Sequence, residues 1–246
     1  MGWSNRIRLA PVDASSRDTK LAADQLRLAL LNLRPNFWLM PLFATILCGM
    51  FSPWVAWPWL ASWWTIVAIC SAPLGLICHH YLALADGDAR DPRWRIRAMV
   101  SYTLFTVAWS SMGFFLWEQN NTQLHMFIMI VLACTLAGNA ALIGASRQLT
   151  IIGLVVYGVT LVVAPLQEGG ILYIGLALMA LVYTGYLANL SRNFYSTARD
   201  MLVLRDDKNE LIAALAASKA ESDDARELAE AASRSKSEFL ANMSHE

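Results

Sequence analysis

Long apolar stretches alternate with short polar connections over most of the chain. A helix needs about 20 mostly apolar residues to cross the roughly 30 Å hydrocarbon layer of a membrane. Six stretches come close to that length, and we predict a transmembrane helix in each, with residues 37–190 as the membrane domain. The predicted spans are 37–57, 60–85, 98–117, 124–144, 150–166 and 171–190.

The cations are distributed unevenly between the connections. All 19 Lys and Arg residues lie before the first span, in 86–97, in 145–149 or after Leu190. The other three connections contain none. Because cytoplasmic loops are enriched in Lys and Arg, both termini are expected in the cytoplasm, in agreement with an even number of spans.

The segment before the first span has helical spacing of apolar residues. Leu26, Ala29 and Leu33 lie on one face of a helix over 21–33,. Such a helix either lies on the inner leaflet or packs against the inner end of the bundle. Residues 1–36 are therefore expected to form a cytoplasmic tail with a juxtamembrane amphipathic helix.

The composition narrows the possible functions. Residues are 57% hydrophobic and only 15% charged, and no Asp, Glu, Lys or Arg lies well inside a predicted span. Ion and proton pathways usually require such groups at membrane depth, so a transporter of a small solute is only an alternative. His79 and His80 are predicted near one membrane face and His125 near the other, so no metal site is expected.

A few polar or amphipathic side chains in the spans are candidates for binding a ligand. Trp63 belongs to a Trp-rich outer turn that either anchors the membrane interface or contributes to a pocket. Trp109, in mid-span, either lines a cavity or packs between helices. Asn139 requires a hydrogen-bond partner, which is either a neighbouring helix or a ligand. The candidate ligand-binding residues are Trp63, Trp109, Glu118, His125 and Asn139.

The chain changes character after Leu190. Residues 191–246 contain no Pro and no Gly and are rich in Ala, Glu, Lys, Arg and Leu, which predicts one long signalling helix over 191–235 and beyond. A heptad frame with an Ala-rich, imperfect seam favours a marginal parallel two-stranded coiled coil, and hence a homodimer. The predicted dimer seam includes Leu204, Leu211, Leu215, Phe239 and Met243.

The last eleven residues carry a family resemblance. "KSEFLANMSHE", residues 236–246, resembles the start of the phosphoacceptor box of bacterial sensor histidine kinases, especially hybrid ones. In that family the box opens the dimerisation and phosphotransfer helix. The resemblance implies a multi-pass protein of the bacterial inner membrane, acting in a two-component regulatory system. It also implies that these 246 residues are the N-terminal part of a longer histidine protein kinase.

The resemblance also implies roles for individual residues. His245 would accept the γ-phosphoryl group of ATP, and Glu246 would act as the general base. Phe239 and Met243 would pack in the dimer. The residues of this chain imply no cofactor, whereas ATP and Mg belong to the kinase domain that would follow. A response regulator or receiver domain is the expected protein partner, and no nucleic acid is expected.

The membrane domain is most simply a sensor. Its outward connections are short, with six residues in "EQNNTQ" and four in "QEGG", too few to form a folded ligand domain. We therefore expect the stimulus to be an apolar or amphipathic small molecule, or a lipid, that acts within the bundle. The layout of six spans before the kinase helix resembles quorum-sensing kinases that detect lipid-like autoinducers. The alternatives are a membrane anchor without sensing and the transporter mentioned above.

Overall fold

The computed structural model describes residues 14–84, 88 and 91–243, with side chains described for 19–84, 88 and 91–235. Within these residues the fold is all-helical, with no strand. The helices are α1 (Ala14–Leu33), α2 (Asn36–Phe51), α3 (Trp57–Leu82), α4 (Pro92–Ser110), α5 (Met112–Phe115), α6 (Thr122–Leu142), α7 (Arg147–Leu166) and α8 (Gly170–Met243).

Five stretches of helix are long and apolar enough to cross a membrane. They are α3, α4 together with α5, α6, α7 and α8. Helix α2, in the first predicted span, has 16 residues and is therefore about 24 Å long, less than the usual hydrocarbon thickness. It ends at Phe51, two residues before Pro53, which has no N–H with which to continue a helix,. The helices thus have the lengths and composition of a membrane protein, while the count of six spans stays a prediction.

Two helix starts are fixed by side chains that cap them. The Asp91 carboxylate accepts a hydrogen bond of 2.9 Å from the backbone N–H of Arg93 at the start of α4. The Asn121 side-chain oxygen accepts one of 3.1 Å from the N–H of Leu124 at the start of α6. Both satisfy backbone donors that a helix leaves unpaired in its first turn.

The chain divides into two compact units, the first of which ends at Arg199. In this first unit α3 packs between α2 and α4, and α7 packs between α4 and α6. The initial part of α8 adjoins α6 and α7: the Tyr183 hydroxyl donates to the Ala133 carbonyl over 3.1 Å. A Cβ on Gly158 would lie 2.7 Å from Thr184. We call this unit the bundle.

Helix α1 packs against the bundle through its apolar face. Ala29 and Leu30 are fully buried, and α1 contacts α3 and α6. The Asn32 side-chain amide donates to the Leu142 carbonyl over 2.8 Å. Of the two arrangements predicted for this helix, the structure has the one packed on the end of the bundle.

The second unit runs from Asp200 and comprises the later part of α8. The predicted seam residues Leu204, Leu211 and Leu215 are 69–71% exposed in the single chain. The side chains of the other two seam residues, Phe239 and Met243, lie outside the described ones. The dimer seam therefore stays a prediction.

Candidate ligand-binding cavity

A cavity of about 210 Å³ lies near the end of the bundle where α1 stops and α2 begins. Helices α1, α2, α4, α6 and α7 all contribute to it, and its lining is mainly apolar. Residues from each of the five helices illustrate this: Leu33, Phe43, Tyr102, Asn139 and Tyr157.

The cavity exists because α2 and α6 do not close on each other. Helix α2 packs mainly against α3, whereas α6 packs mainly against α7, so a gap is left between α2 and α6. Two lining residues at this gap, Phe43 and Leu142, are 41% and 43% exposed on the outside of the bundle. The cavity is therefore open towards one side of the bundle, between α2 and the end of α6.

Asn139 is a buried carboxamide in the lining and is incompletely hydrogen-bonded. It is 5% exposed, and its Oδ1 accepts a hydrogen bond from the Tyr102 hydroxyl. Its Nδ2 has no partner among the described residues. A hydroxyl can donate or accept, so turning the amide over only exchanges the two atoms. Either way, one polar atom of a buried amide is unsatisfied, which costs about 1–3 kcal/mol.

Two glycines define the space around Asn139. A Cβ on Gly153 of α7 would overlap the amide of Asn139, so only glycine leaves room for this side chain. A Cβ on Gly138, which lines the cavity, would meet nothing within 4 Å. The Asn139 amide therefore fills the space next to Gly153, whereas the space next to Gly138 is open.

The cavity is suited to a small, mostly apolar molecule with one hydrogen-bonding group. An apolar protein cavity of roughly 150 Å³ can hold benzene, so this somewhat larger one has room for a ring or a short acyl segment. A hydroxyl or carbonyl next to Asn139 would satisfy the amide, and a longer apolar chain could leave through the gap between α2 and α6.

Trp63 and Trp109 lie behind this cavity and are not part of its lining. Both are fully buried, with ring centroids 5.7 Å apart. Trp109 stacks on Phe43 at 5.9 Å, and its Nε1 donates to the Thr135 hydroxyl over 3.2 Å. Phe43 and Thr135 do line the cavity, so Trp109, which packs between helices, supports the wall.

His125 lies at the other end of α6 and is fully buried. Its ring stacks on Trp117, with centroids 3.9 Å apart and planes inclined by 8°. Its Nε2 is 2.7 Å from the carbonyl oxygen of Glu118, and its Nδ1 is 2.8 Å from the Tyr173 hydroxyl. Because a carbonyl only accepts, Nε2 donates to Glu118, and Nδ1 pairs with the Tyr173 hydroxyl, which can donate or accept.

Glu168, in the turn between α7 and α8, completes this arrangement. Its carboxylate accepts from Trp117 Nε1 over 3.3 Å and from the backbone N–H of Asn120 over 2.6 Å. Asn120 has a φ of 63°, in the left-handed region that Asn tolerates better than most residues. We call Trp117, His125, Glu168 and Tyr173 the aromatic cluster. Of Glu118, the predicted ligand residue, only the backbone carbonyl takes part.

The five candidate residues thus divide into three places. Asn139 lines the cavity, Trp63 and Trp109 form part of the core behind it, and His125 and Glu118 belong to the aromatic cluster. His245 and Glu246 lie outside the described residues.

Sequence reasoning missed the partners of these residues. Tyr102 and Tyr157 are buried tyrosines in the apolar spans, and a buried tyrosine hydroxyl usually seeks a partner. That signal could have drawn attention to Tyr102 together with Asn139. Nothing in the local sequence pairs Trp117 with Glu168, which are 51 positions apart.

Comparisons with known proteins identify no relative. No protein-family model matches the chain, no curated protein matches it, and no solved structure matches it.

Proposed function

We propose that this chain is the membrane sensor part of a bacterial histidine kinase that responds to an apolar or amphipathic small molecule. The observation that carries the kinase assignment is the string "KSEFLANMSHE" at residues 236–246. The string follows a membrane-type bundle and a long polar helix, which is the order expected for a sensor, a signalling helix and a phosphotransfer helix.

The proposed topology has six spans, both termini in the cytoplasm, and the protein in the bacterial inner membrane. The distribution of the 19 cations supports it,. Helix α2 would be the first span despite its 16 residues. A short span is accommodated by local thinning of the bilayer at a modest cost.

The cavity around Asn139 is the proposed sensor site. It combines an apolar lining, an opening between two helices and one buried amide with an unused hydrogen-bonding atom. A ligand that satisfies the amide would favour the conformation in which α2 and α6 are held around it. Because the opening lies on the side of the bundle, such a ligand would enter from the lipid phase.

Signal transfer would use α8, which starts in the bundle and continues to Met243. Ligand binding would bias two arrangements of the bundle, and α8 would pass that bias to the seam around His245. A coupling of about 1–3 kcal/mol is sufficient, provided that the ligand binds the two arrangements unequally.

Inserting two alanines after Ser218 rotates the part of α8 beyond the insertion by about 200° relative to the part before it. If the response to ligand survived this insertion unchanged, transfer through a rigid helix would be excluded.

The test is phosphate transfer from ATP to His245 in the full-length kinase, reconstituted in lipid nanodiscs. We expect the rate to change when organic extract of the organism's spent medium is added, and His245→Gln to abolish labelling. Absence of phosphate on His245 in the active enzyme would contradict the kinase assignment.

Two variants separate sensing from anchoring. Gly138→Leu places a large side chain in the cavity, whereas Gly175→Leu places the same side chain where a Cβ also meets nothing within 4 Å. We expect only Gly138→Leu to remove the response to the extract.

Exchanging residues 37–190 for an unrelated membrane anchor tests whether the bundle senses at all. If the response persisted after this exchange, the bundle would be an anchor and the sensor assignment would be wrong.

A further inference from the structure

A second cavity lies between the start of α7 and the stretch of α8 around residue 190, and it differs from the first in being cationic. Its volume is about 420 Å³. Its polar lining consists of Arg147, Thr150, Ser191, Arg192 and Tyr195.

The two arginines are not neutralised by acidic residues. Neither has an ion pair among the described residues, and no acidic residue lines the cavity. The sequence has no Asp or Glu in 119–167 or in 169–199, so α6, α7 and the part of α8 up to Arg199 supply no acid. Two guanidinium groups at one cavity repel each other unless an anion lies between them.

The charged and the apolar residues of this cavity lie at different positions along the axes of α7 and α8. Ile151 and Leu154 on α7 and Ala188 on α8 form its apolar part. Arg147 lies seven residues before Leu154, a rise of about 10 Å along the helix. Because α7 and the start of α8 are joined by a short turn and run in opposite directions, residues 147 and 192 lie at the same end. One end of the cavity is therefore cationic, and the other is apolar.

The hydroxyl groups of the lining are held in place by the backbone. Thr150 and Ser191 are each 4% exposed. The Thr150 hydroxyl donates to the Ile143 carbonyl over 2.9 Å, and the Ser191 hydroxyl donates to the Leu187 carbonyl over 2.8 Å. Each oxygen keeps lone pairs, but its proton is engaged, so the anion would be held by the arginines rather than by these hydroxyls.

Gly144 shapes the base of the cavity. A Cβ at this position would lie 2.7 Å from Phe194. The turn between α6 and α7 can therefore approach α8 this closely because residue 144 is glycine. This approach places Arg192 and Tyr195, on either side of Phe194, next to the first turn of α7.

We propose that this cavity binds the phosphate-bearing head group of an anionic membrane lipid, with the phosphate between Arg147 and Arg192 and an acyl chain along Ile151 and Leu154. Arginine matches phosphate geometry with paired N–H groups. Basic pockets between transmembrane helices on the cytoplasmic side are suited to such head groups. A soluble phosphate compound would use the same arginines but not the apolar part.

The experiment measures lipid binding directly and needs no kinase activity, so it stands or falls separately from the proposed function. The full chain is purified in a neutral detergent, and retained phosphatidylglycerol and phosphatidylcholine are counted by native mass spectrometry. We expect at least one tightly retained phosphatidylglycerol. The double variant Arg147→Gln, Arg192→Gln should weaken its binding by about tenfold or more, since charge-assisted contacts are lost.

The matched control removes the same number of charges elsewhere. Arg95 and Arg199 are exposed arginines that do not line the cavity, and Arg95→Gln with Arg199→Gln should change binding less than about twofold. Ala188→Leu narrows the apolar part without changing charge and should also weaken retention of phosphatidylglycerol. Equal losses in the two double variants would indicate a general charge effect and overturn the proposal.

Competition distinguishes a lipid from a soluble anion. Millimolar glycerol 3-phosphate, which offers the same phosphate without acyl chains, should displace little of the bound lipid. Complete displacement by glycerol 3-phosphate, together with insensitivity to Ala188→Leu, would show a soluble-anion site and contradict a lipid site.

Discussion

The two ends of helix α6 differ in how completely their buried polar side chains are hydrogen-bonded. At the end that begins with Thr122, His125 has partners for both ring nitrogens and stacks on Trp117. At the end that stops at Leu142, the amide of Asn139 has one partner and borders a cavity. A satisfied cluster contributes to stability, whereas an unsatisfied group beside empty space costs stability that a ligand could recover. We call the first the rigid end and the second, which is the proposed ligand site, the adaptable end.

The largest expected effect comes from deleting the ring of His125. His125→Ala removes the stack on Trp117 and leaves the Tyr173 hydroxyl and the Glu118 carbonyl without their partner. We expect a loss of about 3 kcal/mol in the free energy of unfolding, measured by denaturation in detergent micelles. His80→Ala is the control, because His80 is exposed, and it should cost less than about 0.5 kcal/mol. If both substitutions cost the same unfolding free energy, the aromatic cluster would not be a source of stability.

A smaller loss is expected where the wall of the cavity is closed. Gly153→Ala drives a methyl group into the amide of Asn139 and should cost about 1–3 kcal/mol in unfolding free energy. Gly138→Ala, one residue from Asn139 but facing open space, should instead stabilise by about 0.5–1 kcal/mol because alanine favours a helix. Thermal unfolding of the two variants side by side gives the sign, and two losses of equal size would contradict the described geometry.

Glu168 tests how much the turn contributes to the rigid end. Glu168→Gln keeps the shape but replaces the carboxylate that accepts from Trp117 and from the Asn120 N–H. The loss of charge assistance should cost about 1 kcal/mol in unfolding free energy. Glu118→Gln is the matched control, since the backbone carbonyl of Glu118 is what bonds His125, and it should leave stability nearly unchanged.

The smallest effect on stability should come from removing the polar pair at the adaptable end. Asn139→Leu combined with Tyr102→Phe removes both partners of one hydrogen bond and also the unsatisfied atom. Replacing both partners by apolar groups is nearly neutral, so we expect a change within about 1 kcal/mol of zero. A loss as large as that of His125→Ala would mean that the two ends of α6 are alike.

The helices could largely be predicted from the sequence because the length of each apolar run sets the length of the helix. The end of the first span was wrong: it was predicted at residue 57, whereas α2 ends at Phe51, because Pro53 has no N–H with which to continue a helix. The cavity could not, because it comes from the spacing between α2 and α6, which depends on packing against α3 and α7. The partner of Asn139 was equally hidden: Tyr102 lies 37 positions away on another helix. Trp109 illustrates the limit, since its mid-span position fits both a cavity wall and the packed core it occupies.

The most direct test of the adaptable end uses Cys134, which is exposed and lines the cavity. The rate at which N-ethylmaleimide modifies Cys134 is followed by mass spectrometry of the chain in nanodiscs, with partly buried Cys70 as the internal reference. The probe is 1-octanol, whose hydroxyl can satisfy Asn139 in either orientation of the amide, and octane is the comparison. We predict that octanol slows modification of Cys134 but not of Cys70, that octane does so far less, and that Gly138→Leu abolishes the difference. Equal rates at Cys134 with and without octanol, or equal slowing at both cysteines, would contradict a ligand site at Asn139.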